Sequence, residues 1–256
     1  MPKSSRTCAH GALILTVLLA LALGNLQAQQ ELQNPSEYLG FELGDRFSLH
    51  HEVTDFSKHI GEQAGASYVE YGSTYEQRPL QAVVFTHPDN IEKLEEIRLQ
   101  HLDRVNGGTG DAEFDELAVV WMSYNVHGNE AVCTEAALEV MHVLAEKCAA
   151  GDPMMKRLVV LVDPCLNPDG HDRYAVWFNQ HASYPPNADP NGMEHDEPWP
   201  GGRPNHYLFD LNRDWAWQKQ QETQSRSALY HAWMPHVHCD YHEMGYNSPY
   251  YFAPAA

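Results

Sequence analysis

The segment 117–124, Leu-Ala-Val-Val-Trp-Met-Ser-Tyr, is apolar at almost every position. A strand with one face in water alternates apolar and polar residues, so this run belongs in a sheet covered on both faces. A helix is expected from about 130 to 148, with Ala137, Met141, Leu144 and Cys148 along one stripe. Gly151-Asp152-Pro153 ends it, and 158–162 is a second continuous apolar run. Buried strands alternating with helices predict an α/β layer fold with a mixed, mostly parallel central sheet flanked by helices.

Around this centre the pattern is less regular. The segments 67–71 and 80–87 are β-rich and separated by a turn-rich link, which predicts two paired strands. Pro88-Asp89-Asn90 caps a helix over 91–102. Residues 164–212 read as loop-heavy, followed by a helix near 215–233 and a strand over 236–242. Residues 29–60 read as a polar, irregular lead-in to a domain spanning 61–256. The chain stops mid-domain by this reading, so the domain is expected to be C-terminally incomplete.

At the N-terminus, Lys3 and Arg6 precede an apolar run over 12–23, too short to span a bilayer comfortably. A small residue, Ala28, stands just before Gln29. Residues 1–28 therefore read as a cleavable signal peptide, with a secreted or periplasmic destination and no stable membrane insertion. Sixteen Lys and Arg stand against 35 Asp and Glu, a net charge of −19. Such a surface repels phosphate backbones and excludes nucleic acid as an expected partner. Cys133, Cys148, Cys165 and Cys239 show no Cys-x-x-Cys spacing and read as buried free thiols.

The chain holds 16 histidines, which directs attention to metal ligation. His127-Gly128-Asn129-Glu130 falls where a buried strand gives way to a helix. Open α/β sheets place their sites at such carboxyl ends. A His and a Glu three residues apart can converge on one cation, and a catalytic zinc needs a third ligand and an open position. The strand His236-Val237-His238-Cys239-Asp240-Tyr241-His242 supplies candidates on one face. His242, at the strand exit, is the choice; His238 is the competitor. Tyr246 stands where a His-Glu-x-x-His motif would need its second histidine, so that motif is absent. Asn212 and Arg213, in Asp210-Leu211-Asn212-Arg213, offer amide donors and a guanidinium fork suited to a carboxylate.

Taken together, these residues resemble the zinc metallocarboxypeptidase family, that of pancreatic carboxypeptidase A. Five segments stand in the family's order: 71–80, His127-Gly128-Asn129-Glu130, Asn167-Pro168-Asp169-Gly170, Asp210-Leu211-Asn212-Arg213, and the strand ending in His242. The second and fourth are most similar to the regulatory and bacterial branches, and Asp240-Tyr241-His242-Glu243-Met244-Gly245 to a bacterial exported branch. The resemblance implies the family's fold and one Zn2+ held by His127, Glu130 and His242. It implies that Asn212 and Arg213 bind the terminal carboxylate of a peptide or protein substrate, and that Arg203 polarises the scissile carbonyl, with Arg173 as rival. Asp210 would accept the far ring N–H of His127. The family's general-base glutamate comes well after the third ligand. Only Glu243 is acidic after His242, so the base is expected beyond residue 256 and the segment present is expected to be inactive. A deacylase on the same scaffold, or a zinc-binding pseudoenzyme, are the alternative readings.

Overall fold

The computed structural model describes residues 31–110, 114 and 117–245. The expected signal peptide and the final residues 246–256 lie outside them. Five strands form one sheet: β1 (Ala66–Ser73), β2 (Pro79–Phe85), β3 (Ala118–Tyr124), β4 (Leu158–Asp163) and β5 (Val237–Tyr241). Their order is β1-β2-β4-β3-β5. The β1–β2 and β2–β4 pairs are antiparallel, the β3–β4 and β3–β5 pairs parallel. The sheet is mixed, as expected, with the parallel pairings gathered around β3.

The helices are α1 (Pro35–Leu39), α2 (His50–Gly61), α3 (Pro88–Ile91), α4 (Leu94–Val105), α5 (Val132–Ala149), α6 (Pro168–His181) and α7 (Gln221–Trp233). Side chains alternate across each strand. Val83, Phe85, Val160 and Val162 therefore meet Val53, Phe56 and Ile60 of α2 and Leu138 and Met141 of α5. On the other face Val84, Val119, Trp121, Val159 and Leu161 meet Ile97 of α4 and Trp233 of α7. Two covered faces account for the continuous apolar runs. No helix among the described residues is long and apolar enough to cross a membrane.

Three local expectations need correction. The lead-in is not irregular: α2 buries Val53, Phe56 and Ile60 completely, an i, i+3, i+7 stripe interleaved with polar residues that masks it. Residues 164–212 are not all loop, because α6 runs through them. Asn167 caps α6 by accepting from the Gly170 N–H, and Pro168 opens its first turn. Asn-Pro-Asp-Gly is helix-start chemistry as well as turn chemistry. The helix expected over 215–233 begins only at Gln221. Asp214 stops the chain from coiling earlier, its carboxylate accepting from the Lys219 and Gln220 N–H groups.

Candidate metal centre

The loops that leave β3 and β4 meet the segment 210–213, which precedes α7. Val126, Leu166 and Leu211, one from each motif-bearing loop, form a small buried apolar cluster beneath them. At the end of β3, Asn125 takes a left-handed φ of 58°, a conformation Asn tolerates better than most residues. Its side chain closes the loop by donating to the Gly128 and Glu130 carbonyls. Gly128 is the point of closest approach. A Cβ there would lie 2.2 Å from the Gly170 carbonyl carbon and the His171 nitrogen, and 2.5 Å from the Gly202 oxygen. The segment around Arg203 docks on this junction. Its carbonyl accepts from Gly128 N and Asn167 Nδ2. Glu197 accepts from both Asn129 Nδ2 and the Gly202 N–H.

His127, Glu130 and His242 come together so that one ligand atom from each lies within 4.8 Å of the others. Glu130 stands in the middle. Its Oε1 is 2.7 Å from His127 Nδ1 and its Oε2 is 3.0 Å from His242 Nδ1. The far nitrogen of each ring faces an aspartate: His127 Nε2 lies 3.1 Å from Asp210 and His242 Nε2 lies 3.1 Å from Asp240. That pattern fixes ring orientation and leaves each Nδ1 lone pair turned to the common centre. Two imidazoles and one carboxylate are a donor set zinc accepts, so these residues fit the expected ion.

The electrostatics agree with a site built for positive charge. Burial alone would raise Glu130, but hydrogen bonds with His127 and His242 hold its carboxyl at about 2. Asp240 and Glu130 together raise His242 to about 10. Asp210 stays below the usual carboxylate range despite partial burial, through the charge of His127 and the Asn212 N–H.

The competing residues are occupied elsewhere. His238 Nε2 pairs with Ser123 Oγ at 2.8 Å, and burial lowers its pKa. His236 Nδ1 accepts from the Val119 N–H. Arg203 Nη2 lies 2.9 Å from His127 Nε2 and 3.2 Å from Asp210 Oδ2, and Nη1 lies 3.5 Å from Glu130. Its rival Arg173 instead donates to the Gly201, Pro204 and Asn205 carbonyls and holds that loop in place. Asn212 reaches to 3.5 Å of His242, and Arg213 is exposed beside it. Glu243 is turned away: its Oε1 accepts from the Cys133 N–H, and burial raises its pKa. Asp240 was not singled out by the sequence reading. The Asp-x-His spacing puts it on the same strand face as His242 and could have marked it. Glu197 and Asn205 carried no such signal, because their partners are distant in sequence.

Comparison with known proteins bears on the family and the fold. The zinc carboxypeptidase family model matches residues 58–237. No curated protein sequence gives a significant match. Among solved structures, carboxypeptidase A from Helicoverpa armigera aligns with a TM-score of 0.53 at 16% identity, over 90% of this chain and 54% of that one. A metallo-carboxypeptidase from Burkholderia cenocepacia aligns with a TM-score of 0.46 at 18% identity, over 75% of this chain and 40% of that one. The chain thus spans about half the length of these structures or less. At 16% identity the likeness to the first of these is one of fold alone.

Proposed function

The chain belongs to the zinc carboxypeptidase family, and from that premise we propose that it is the zinc-binding part of an exported metallopeptidase of carboxypeptidase type. The observation that carries this reading is the convergence of His127, Glu130 and His242, with a guanidinium beside them. Zinc, when bound, supplies Lewis acidity toward a carbonyl oxygen and lowers the pKa of water.

The chain's own residues do the rest of the binding. Arg213, exposed, and Asn212 grip the free carboxylate of a peptide C-terminus through a bidentate fork and an amide. Arg203, fixed through its backbone carbonyl, directs its N–H groups at negative charge developing on the scissile carbonyl oxygen. Asp210 keeps the proton of His127 on Nε2 and steadies Arg203. Glu243, the acidic residue that follows His242, is not placed as general base, since it is committed to the Cys133 N–H. Turnover by this chain is therefore expected to lie ~10²–10⁴-fold below that of a site with a base. Residues 1–28 act as the export signal.

Binding of a free-acid peptide and its C-terminal amide to the zinc-loaded chain tests the reading. The free acid should bind about tenfold or more tightly, and Arg213→Ala should remove most of that difference. Equal binding of acid and amide by the unaltered chain would argue for a zinc hydrolase of another kind, such as a deacylase.

A further inference from the structure

Beside the candidate site the chain displays apolar side chains that nothing among the described residues covers. In the segment 205–209, Tyr207, Leu208 and Phe209 are each about half exposed, at 59%, 46% and 53%. This tip is not loose. Asn205, fully buried, accepts from the Tyr207 and Phe209 N–H groups, and its own N–H donates to the Phe209 carbonyl. Its amide is tied below to Gln220 and Glu222. The tip also leans on the β1–β2 turn. Tyr207 meets the Tyr75 ring edge-on at 4.6 Å, and His206 pairs with Glu76 at 2.9 Å. That turn is in turn anchored by the buried Asp169, which accepts from Thr74, Arg78 and the Glu76 N–H.

Leu208 holds a left-handed φ of 63°. This conformation is unfavourable for a non-glycine residue and persists only where surroundings impose it. A rigid frame thus holds an apolar residue that is about half exposed among the described residues. The tip is continuous with the site: Phe209 adjoins Asp210, and Arg203 stands two residues before Asn205.

Building on the carboxypeptidase reading, we propose that Tyr75, Tyr207, Leu208 and Phe209 form a specificity rim. It selects peptides carrying neutral, aromatic or large apolar side chains upstream of the C-terminal residue. Aromatic pairs add to simple burial when rings meet edge-on or offset, and the rim offers both exposed ring edges and an aliphatic tip.

The test measures, by titration calorimetry on the zinc-loaded full chain, two acetylated free-acid pentapeptides with uncharged side chains and the same C-terminal alanine. One has phenylalanine and the other alanine at the second and fourth positions. The phenylalanine peptide should bind about tenfold more tightly. The doubly substituted Tyr207→Ser, Phe209→Ser chain should bind both alike, whereas Tyr184→Ser, which removes an aromatic ring 86% exposed elsewhere, should keep the preference. Leu208→Gly should raise the melting temperature by relieving the backbone, yet weaken the preference. No preference in the unaltered chain, or its persistence in the double variant, would overturn the rim. A fall in melting temperature of the double variant without loss of preference would show instead that the tip packs against protein. Acid against amide, run alongside on the unaltered chain, reports separately on the carboxypeptidase reading.

Discussion

The two histidines that flank Glu130 are held in different ways. His127 is 3% exposed and sits on a loop locked between β3, α6 and the Arg203 segment by glycine-to-backbone contacts. The His242 side chain is 31% exposed and leaves β5, which pairs with β3 alone among the described strands. One half of the centre is thus fixed by packing. The other is fixed by hydrogen bonds, with Asp240 accepting from the ring behind and the Glu243 N–H donating to Glu130 Oε2 at 3.1 Å. Backbone packing tolerates no added atom, whereas a hydrogen-bonded ring can turn, so the two halves should fail differently.

Gly128→Ala should have the largest effect. The new Cβ meets backbone that cannot yield as a flexible side chain would, which places it at the upper end of the ~1–3 kcal/mol that overpacking costs. Thermal unfolding of the zinc-free chain should move down by about 10 °C. An unchanged melting temperature would show that the His127 half is not locked by packing.

Zinc affinity distinguishes the halves next. Removing a carboxylate behind a metal-binding histidine typically costs ~10–100-fold. Asp240→Asn should fall at the upper end, because little else orients His242. Asp210→Asn should fall at the lower end, because packing still holds His127. The reverse order in competition titrations would break the comparison.

A further effect concerns a group outside both halves. Asp163, at the end of β4, is fully buried, which raises its pKa to about 7 against the donated hydrogen bond of Tyr71 and the charge of Arg226. The folded state therefore holds a proton that the unfolded state has lost above about 3.8. Stability present below pH 4 should decline as pH rises toward 7, by at most ~1.4 kcal/mol per pH unit. Asp163→Asn should flatten that slope in denaturant titrations from pH 4 to 7. An unaltered slope would exclude Asp163 as its source.

How much of this was legible follows the same division. The strands 117–124 and 158–162 could be read because both sheet faces are covered, so apolarity alone marks them. The three candidate ligands could be read because His127-Gly128-Asn129-Glu130 and the strand into His242 are short local patterns. The α2 stripe was missed because Val53, Phe56 and Ile60 are diluted by eight polar or charged neighbours within the helix. Helix α6 was missed because Asn-Pro-Asp-Gly serves turns and helix starts alike. The Glu197 bridge and the Asn205 frame unite residues distant along the chain, and no local pattern encodes such partnerships.

Zinc stoichiometry tests the central claim most directly, by competition titration of the purified full chain and its single variants. The unaltered chain should bind about one zinc, as a single three-ligand site requires. His127→Ala and His242→Ala should each abolish that binding, and His238→Ala should leave it intact. Full zinc retention in both of the first two variants, with loss in His238→Ala, would contradict the centre described above.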